Sequence, residues 1–413
     1  MSEKLFTPNM HTASIQVPVE PGPPAKLSSR IASIDLLRGL VMIVMALDHT
    51  RDFFHRSAFT DDPLNLQTTT PALFFTRFIT HYCAPIFVFL AGTSAWLQGQ
   101  RKSKQELSGF LVKRGLWLVL VEVVIMTFGI FFDPGFHLIM LQTIWAIGIS
   151  MICLGAALYL PFRAIFALGA LIVLGHNALD FYQAQHQGAY SPAYHFLHLP
   201  GGFPLGTDRF VFFAYPVLPW IGLMMMGYCF GRLFTTLPDK GRNRTLLLGG
   251  ASLLLLFAAL RATNAYGDPA DWSGQKSALY TFFSFINVTK YPPSLLFMCV
   301  TIGPALLFLA LTGNARGRLS RIITVYGSVP FFYYVLHFYI LHTVSALFFL
   351  ARGHSVAEGM AVTNAPKFLP PGEGYDLPVV YAVWAATVIA LYPLCRWFSN
   401  YKRTHRQWWL SYL

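Results

Sequence analysis

RGLVMIVMALDHTRDFF, residues 38–54, has the apolarity of a membrane-crossing helix, yet Arg38 stands at one end, Asp48 and His49 near the other, and Asp35 just upstream. The rest of the chain sets the solvent in which these groups must be read. Of 413 residues 55% are hydrophobic and only 12% charged, and the mean hydropathy of +0.50 lies well outside the soluble range. Crossing about 30 Å of hydrocarbon takes roughly 20 apolar residues. Windows of that kind recur at about 34–50, 71–97, 115–132, 138–160, 164–180, 208–234, 245–264, 291–313, 323–350 and 377–400. The expectation is an all-α polytopic integral membrane protein with about ten transmembrane helices.

Charge gives the orientation. With both termini cytoplasmic, the cytoplasmic segments carry 20 Lys and Arg and the exterior ones nine, with Arg38 the thirtieth; cations concentrate inside as membrane insertion favours. The formal charge of +12 is then topogenic and calls for no nucleic acid, though clustered cytoplasmic cations also suit a phosphorylated ligand. Residues 1–30, rich in Pro and Ser and without an apolar core, read as a disordered cytoplasmic tail and not as a cleavable signal peptide. A transmembrane domain over 31–400 and a cytoplasmic tail over 401–413 complete the expected organisation.

Several chemistries find no motif. The five cysteines, Cys83, Cys153, Cys229, Cys299 and Cys395, all fall in expected spans and no two are closely spaced, so neither a disulfide framework nor a thiolate metal site is indicated. The histidines lack metal-ligand spacing, glycine patterns for nucleotide binding are missing, and no internal repeat of the transporter kind is evident. Exterior segments 51–70, 181–207, 265–290 and 351–376 are the long ones, where functional loops would sit.

In the opening stretch, helix geometry sorts the polar groups. Arg38 and His49 are 11 residues apart, which puts them within roughly 20° in azimuth and about 16 Å apart in height. Asp35, Arg38, Met42, Met45 and His49 form one stripe. Asp48 points about 100° away, and Asp52 lies one turn beyond His49, placed to orient its imidazole. An ionisable group in hydrocarbon costs on the order of 2.5–3.5 kcal/mol on insertion scales, so it normally faces a partner or a watery cavity. Asp35 and Arg38 can pair with each other; His49, a residue type whose pKa can be set where a general base works, is the functional candidate.

At these residues the chain resembles a known family. SIDLLRGLVMIVMALDH (33–49) is similar to the first core helix of the heparan-α-glucosaminide N-acetyltransferase catalytic-domain family, its bacterial branch in particular, and of the wider transmembrane acyltransferase superfamily. Bacterial sugar O-acetyltransferases of that superfamily carry Arg, ten residues, then His, a spacing that Arg38 and His49 reproduce. The resemblance continues through APIFVFLAGTSAWL (84–97), KRGLWLVLVE (113–122), AYPVLPWIGLMMMGY (214–228), VTKYPPSLLF (288–297) and VPFFYYVLHFYILH (329–342). It implies an acyl-CoA-dependent enzyme that moves an acetyl or other short acyl group from cytosolic acyl-CoA to an extracytoplasmic sugar hydroxyl or amine. Acetyl-CoA would be the donor, no metal would be needed, and the setting would be a bacterial inner membrane. The lysosomal member has Asn in the slot of His49 and its catalytic His in the next exterior loop, where this chain has His55; an aspartate of that member falls at His81.

On that reading His49 is the base, Asp52 its orienting carboxylate and His55 the alternative base, while Arg38, Lys113 and Arg114 face the CoA. His81, Lys290, Tyr291 and His337 are expected at the acceptor, with Pro292 and Pro293 in the first turn of an outer helix. His337 and His342 point roughly 140° apart, so at most one faces the site. Glu122, in mid-span, is either a structural partner or a proton-path group. Besides acyl-CoA, the partners are a glycan or other small acceptor and membrane lipid; a homodimer stays open. The alternative from a different class is a transporter or flippase in which the Asp, Arg and His line an ion or headgroup path.

Overall fold

The first helix, α1 (Ala32–Phe54), carries Asp35 in its first turn and Arg51 in its last, each complementing the helix dipole. The structure is a computed structural model and describes residues 32–411 except 187, 189, 314, 316, 364 and 406; the tail expected over 1–30 lies outside the described residues. Helix α2 (Pro71–Thr80) starts on a proline, and Thr70 caps it by accepting the Leu73 N–H at 3.3 Å. With α3 (Cys83–Gly99) it forms a 29-residue apolar unit.

Among the described residues, five helical units are long and apolar enough to cross a membrane: Pro71–Gly99, Lys104–Phe131, Asp239–Thr263, Pro330–Ala351 and Leu377–Thr404. A sixth is added if Phe162–Gly175 and Ala178–Gln185, bent by 41°, count as one. Each of the ten expected windows falls on a helix, but not all are simple spans. α1 has the length, at 23 residues, and too many charges. Thr143–Ala157 and Leu295–Leu311 are apolar but only 15 and 17 residues long. The window 323–350 breaks at Val329, and the last helix runs four residues beyond the expected boundary, to Thr404.

Two windows correct the all-α expectation. Within 138–160 and 208–234 the chain is first extended: strands β1 (Leu138–Leu141), β2 (Gly201–Leu205) and β3 (Arg209–Phe213) form a sheet of order β1-β3-β2. β1 runs parallel to β3 with Leu138 opposite Phe210, and β2 runs antiparallel to it. LIML and RFVFF are short apolar runs that hydropathy does not separate from helix. The sheet buries Leu141, Val211 and Phe213 against Trp145, Phe196 and Phe203.

Helices approach closely where glycines face each other. A Cβ on Gly92 of α3 would lie 2.1 Å from the Met224 carbonyl of Leu218–Gly231, and one on Gly227 of that helix would lie 2.1 Å from the Phe89 carbonyl. α1 meets Arg318–Ser328 the same way: a Cβ on Gly39 would be 2.0 Å from the Ile323 carbonyl, and on Gly327 1.9 Å from that of Asp35. In lipid, where apolar burial no longer favours association, such backbone-to-backbone packing is what holds helices together. Side chains add bonds to α1 carbonyls: Trp384 Nε1 donates to Ile43 at 2.8 Å and Ser345 Oγ to Phe53 at 3.0 Å.

Gly227→Val is therefore expected to force α3 and Leu218–Gly231 apart and to cost about 1–3 kcal/mol or more, the range for overpacking. Gly109→Val, which meets nothing within 4 Å, is the control. Thermal unfolding in detergent should show a clear drop for the first variant and little change for the second.

Candidate active site

A small, partly open cavity lies beside α1. Met45, Asp48 and His49 line it from α1; Thr80, Cys83, Ala84 and Phe87 form the α2–α3 wall; Thr143, Tyr215, Lys290 and Tyr334 close it from later segments. Met45 and His49 share the wall because they are one turn apart.

His49 is half-buried and His337 fully buried. Their rings stack at 4.9 Å between centroids and 20° between planes, and His49 Nδ1 is 2.6 Å from His337 Nε2. The far nitrogen, His337 Nδ1, is 3.1 Å from the Tyr333 carbonyl. A carbonyl only accepts, so His337 Nδ1 carries the hydrogen. For two neutral rings His337 Nε2 is then the acceptor and His49 Nδ1–H the donor. That inferred pattern leaves the lone pair on His49 Nε2, with Phe338 packed 4.1 Å away at 33°.

Around this pair the charges pair among themselves. Arg77 Nη1 donates to both Asp48 oxygens, at 2.8 and 2.6 Å, and Arg51 Nη2 reaches Asp48 at 3.0 Å and Asp52 at 2.5 Å. Asp48 and Arg51 are almost fully buried. Burying an ion unpaired costs several kcal/mol, and two cations on one carboxylate meet that cost only because Asp52 offsets the second. The Asp52 carboxylate is thus turned to Arg51, and the orienting partner of His49 is His337: Arg51, its chain neighbour, offers Asp52 a full charge where the imidazole offers one weak donor.

Lys290 comes in on a braced turn. Asp268 accepts the Thr289 N–H at 2.8 Å and the Thr289 and Ser294 hydroxyls at 2.9 and 2.6 Å. His176 Nε2 lies 2.9 Å from the Pro293 carbonyl, and Asn177 Oδ1 accepts the Leu295 N–H at 2.8 Å. Burial pushes the Asp268 carboxyl above its ordinary range despite its bonds to Ser294 and Thr289. Nearby, Arg261 donates to the carbonyls of Phe285, Ser284, Asn287 and Ala270, fixing the end of Ala278–Ile286. Pro292 and Pro293 precede the helix Leu295–Leu311, whose cap is Ser294, and do not lie in its first turn. Lys290 is 8% exposed, with Nζ 5.1 Å from the Tyr291 ring centroid and 6.0 Å from that of Tyr215.

Glu122 resolves into a structural group. It opens a π-helical turn, Glu122–Met126, and its two carboxylate oxygens accept the N–H groups of Gln142 and Trp145, each at 3.1 Å. A carboxylate from a neighbouring helix thus caps Thr143–Ala157 and fixes Thr143 at the cavity wall.

The remaining expected residues are dispersed. His81 is buried, with neither ring nitrogen bonded among the described residues, and packs on Phe297. His55 lies past the end of α1, bonds Ser57 through Nδ1 at 3.0 Å, and does not line the cavity. Burial and Arg51 hold it below the ordinary imidazole range. Arg38 donates to Asp35 at 2.9 Å, Ser94 at 3.0 Å and the Gly327 carbonyl at 3.3 Å, at the other end of α1. Lys113 is exposed, and Arg114 lies over the Phe110 ring. His342 sits between the Gly129 and Lys367 carbonyls, away from His49. Among the described residues no group of three or more His, Cys, Asp or Glu is gathered to hold a metal. Arg77, Tyr215, Tyr334 and Thr143 were not singled out from sequence; Arg77 carried a signal, being a cation within an apolar window that had to find an acid.

The model of the family described as heparan-alpha-glucosaminide N-acetyltransferase, catalytic, matches residues 30–258, more than half of the chain. No curated protein matches the chain. The matched stretch holds His49, the ion-pair group and Tyr215, and ends before Lys290 and His337.

Asp48→Ala is expected to leave the buried Arg51 and Arg77 without the carboxylate they share, at a cost of about 3–5 kcal/mol. Asp52→Ala, whose side chain is 42% exposed, leaves Arg51 its contact with Asp48 and should cost less. Unfolding temperature and yield of monodisperse protein should separate the two.

Proposed function

The chain belongs to the heparan-alpha-glucosaminide N-acetyltransferase catalytic family, and from that membership we propose that it transfers an acetyl or other short acyl group from cytosolic acyl-CoA to a sugar hydroxyl or amine across a membrane. The observation that carries the chemistry is His49, which lines the cavity and is bonded from behind by His337. His49 Nε2 takes the proton of the acceptor as the acceptor attacks the thioester carbonyl, and His337, held by the Tyr333 carbonyl, keeps His49 in the tautomer that offers this lone pair. The acyl carbon passes from sulfur to the acceptor, and the proton returns from His49 to the departing thiolate. Arg38, Lys113 and Arg114, toward the other end of the fold's first helices, are the proposed cations for the CoA phosphates. Asp52 acts through Arg51, His55 is the alternative base, and His81 is proposed to contact the acceptor.

We place ten crossings in the membrane, with both termini cytoplasmic and a bacterial inner membrane as the setting. The nine-to-twenty charge asymmetry supports this. Single cysteines at 101–104 and 240–244 should resist an impermeant exterior thiol reagent, while those at 61–65 and 268–271 should label. Exterior labelling at 240–244 contradicts ten crossings.

His49→Ala should lower turnover roughly 10²–10⁴-fold, the range for a positioned base, with acetyl-CoA binding retained. His337→Gln, which still offers an acceptor to the His49 Nδ1–H, should lose less than His337→Phe. Wild-type turnover in His49→Ala ends this assignment. Acetyl label trapped on His49 from acetyl-CoA without acceptor would make the histidine a nucleophile instead.

A further inference from the structure

Acyl transfer creates a negative charge that His49 does not handle. When the acceptor oxygen or nitrogen bonds to the acyl carbon, the carbonyl π pair moves onto oxygen, and that oxyanion needs a donor until the pair returns and the C–S bond breaks. We propose that Lys290 is that donor, its ammonium stabilising the tetrahedral oxyanion in the cavity it shares with His49. This rests on the acyl-transfer reading above and adds a catalytic residue to it.

Three observations carry the assignment. Lys290 lines the same cavity as His49 and is its one lining cation among the described residues. Neither neighbouring guanidinium lines the cavity: Arg77 holds both oxygens of Asp48, and Arg51 joins Asp48 to Asp52 through Nη2, its Nη1 buried without a bond among the described residues. Lys290 joins no carboxylate within ion-pair distance among the described residues; Nζ lies over the Tyr291 and Tyr215 rings, 5.1 and 6.0 Å from their centroids. Ring faces stabilise an ammonium without neutralising it, so its charge stays available to a transient anion.

The backbone is built for fixed placement. Residues 289–294 are closed by Ser294 N–H to the Thr289 carbonyl at 3.0 Å, gripped by Asp268, and tied to Phe162–Gly175 and its neighbours through His176 and Asn177. A donor fixed before the reaction needs no reorganisation when charge develops, which is where such groups gain their effect. A lysine that only held an anionic acceptor would fill the same place in the ground state, so the two roles differ in which kinetic constant they control.

Hydrolysis of acetyl-CoA by the purified full-length chain in detergent separates them, because water as acceptor still passes through the oxyanion. Lys290→Met should lower kcat for CoA release roughly 10²–10³-fold, the range for loss of one oxyanion donor, with KM and binding of acetyl-CoA within about threefold, and Lys290→Arg should recover part of it. Where the methionine variant does not fold, Lys290→Gln, neutral but still a donor, should lose about tenfold. Unchanged hydrolysis with loss of transfer to an added sugar acceptor overturns the proposal and makes Lys290 an acceptor-binding group. Wild-type kinetics in both assays overturns it in favour of a packing role. No CoA release from the wild-type chain, with any acceptor, sinks the acyl-transfer reading itself.

Discussion

The Asp48 carboxylate, clasped by Arg77 and Arg51, is the constraint around which the rest of the site is arranged. Ionised groups in hydrocarbon are costly unless a counter-charge, an aromatic face or a polar cavity answers them. One acid answers two bases here, and Asp52 answers the remainder. Arg77 comes from α2, so this group fixes how α2 meets α1. That contact sets the wall from which Thr80, Cys83 and Ala84 face the cavity. Both arginines face this carboxylate and not the cavity, so among the described residues Lys290 is the cation that borders the space.

Backbone groups do the finer positioning. The Tyr333 carbonyl decides which His337 nitrogen bears hydrogen, and through it which His49 nitrogen is bare. Glu122 reaches across to the N–H groups of Gln142 and Trp145 and so sets the start of Thr143–Ala157. Asp268 and Arg261 do the same for the loops that deliver Lys290. Each is a charged or acid group spent on main chain, which removes orphan polar groups where little water competes for them. The close helix crossings at Gly92–Gly227 and Gly39–Gly327 supply the rigid frame on which these bonds hold their lengths.

The sequence by itself determined the class, the helices and one end of the site. Hydropathy located a helix in every apolar window because burial in lipid is additive along the chain, and an 11-residue interval put Arg38 and His49 on one side of α1 because helix geometry is local. It put forward His49 as the base, a polar group costly to bury without purpose, and Lys290 and His337 as candidates at the acceptor. It did not foresee the sheet, since LIML and RFVFF become strands only by pairing across some 70 residues of chain. The tertiary structure alone decided who partners whom. Asp52 was one turn from His49, yet it turned to Arg51, because the stronger charge wins a carboxylate. His337, 288 residues distant, took the place at His49. Glu122 became a cap, and Arg77 became the clasp of Asp48. Such choices depend on distances between segments that no local pattern encodes, and in a medium of low dielectric those distances govern the energy of every charge.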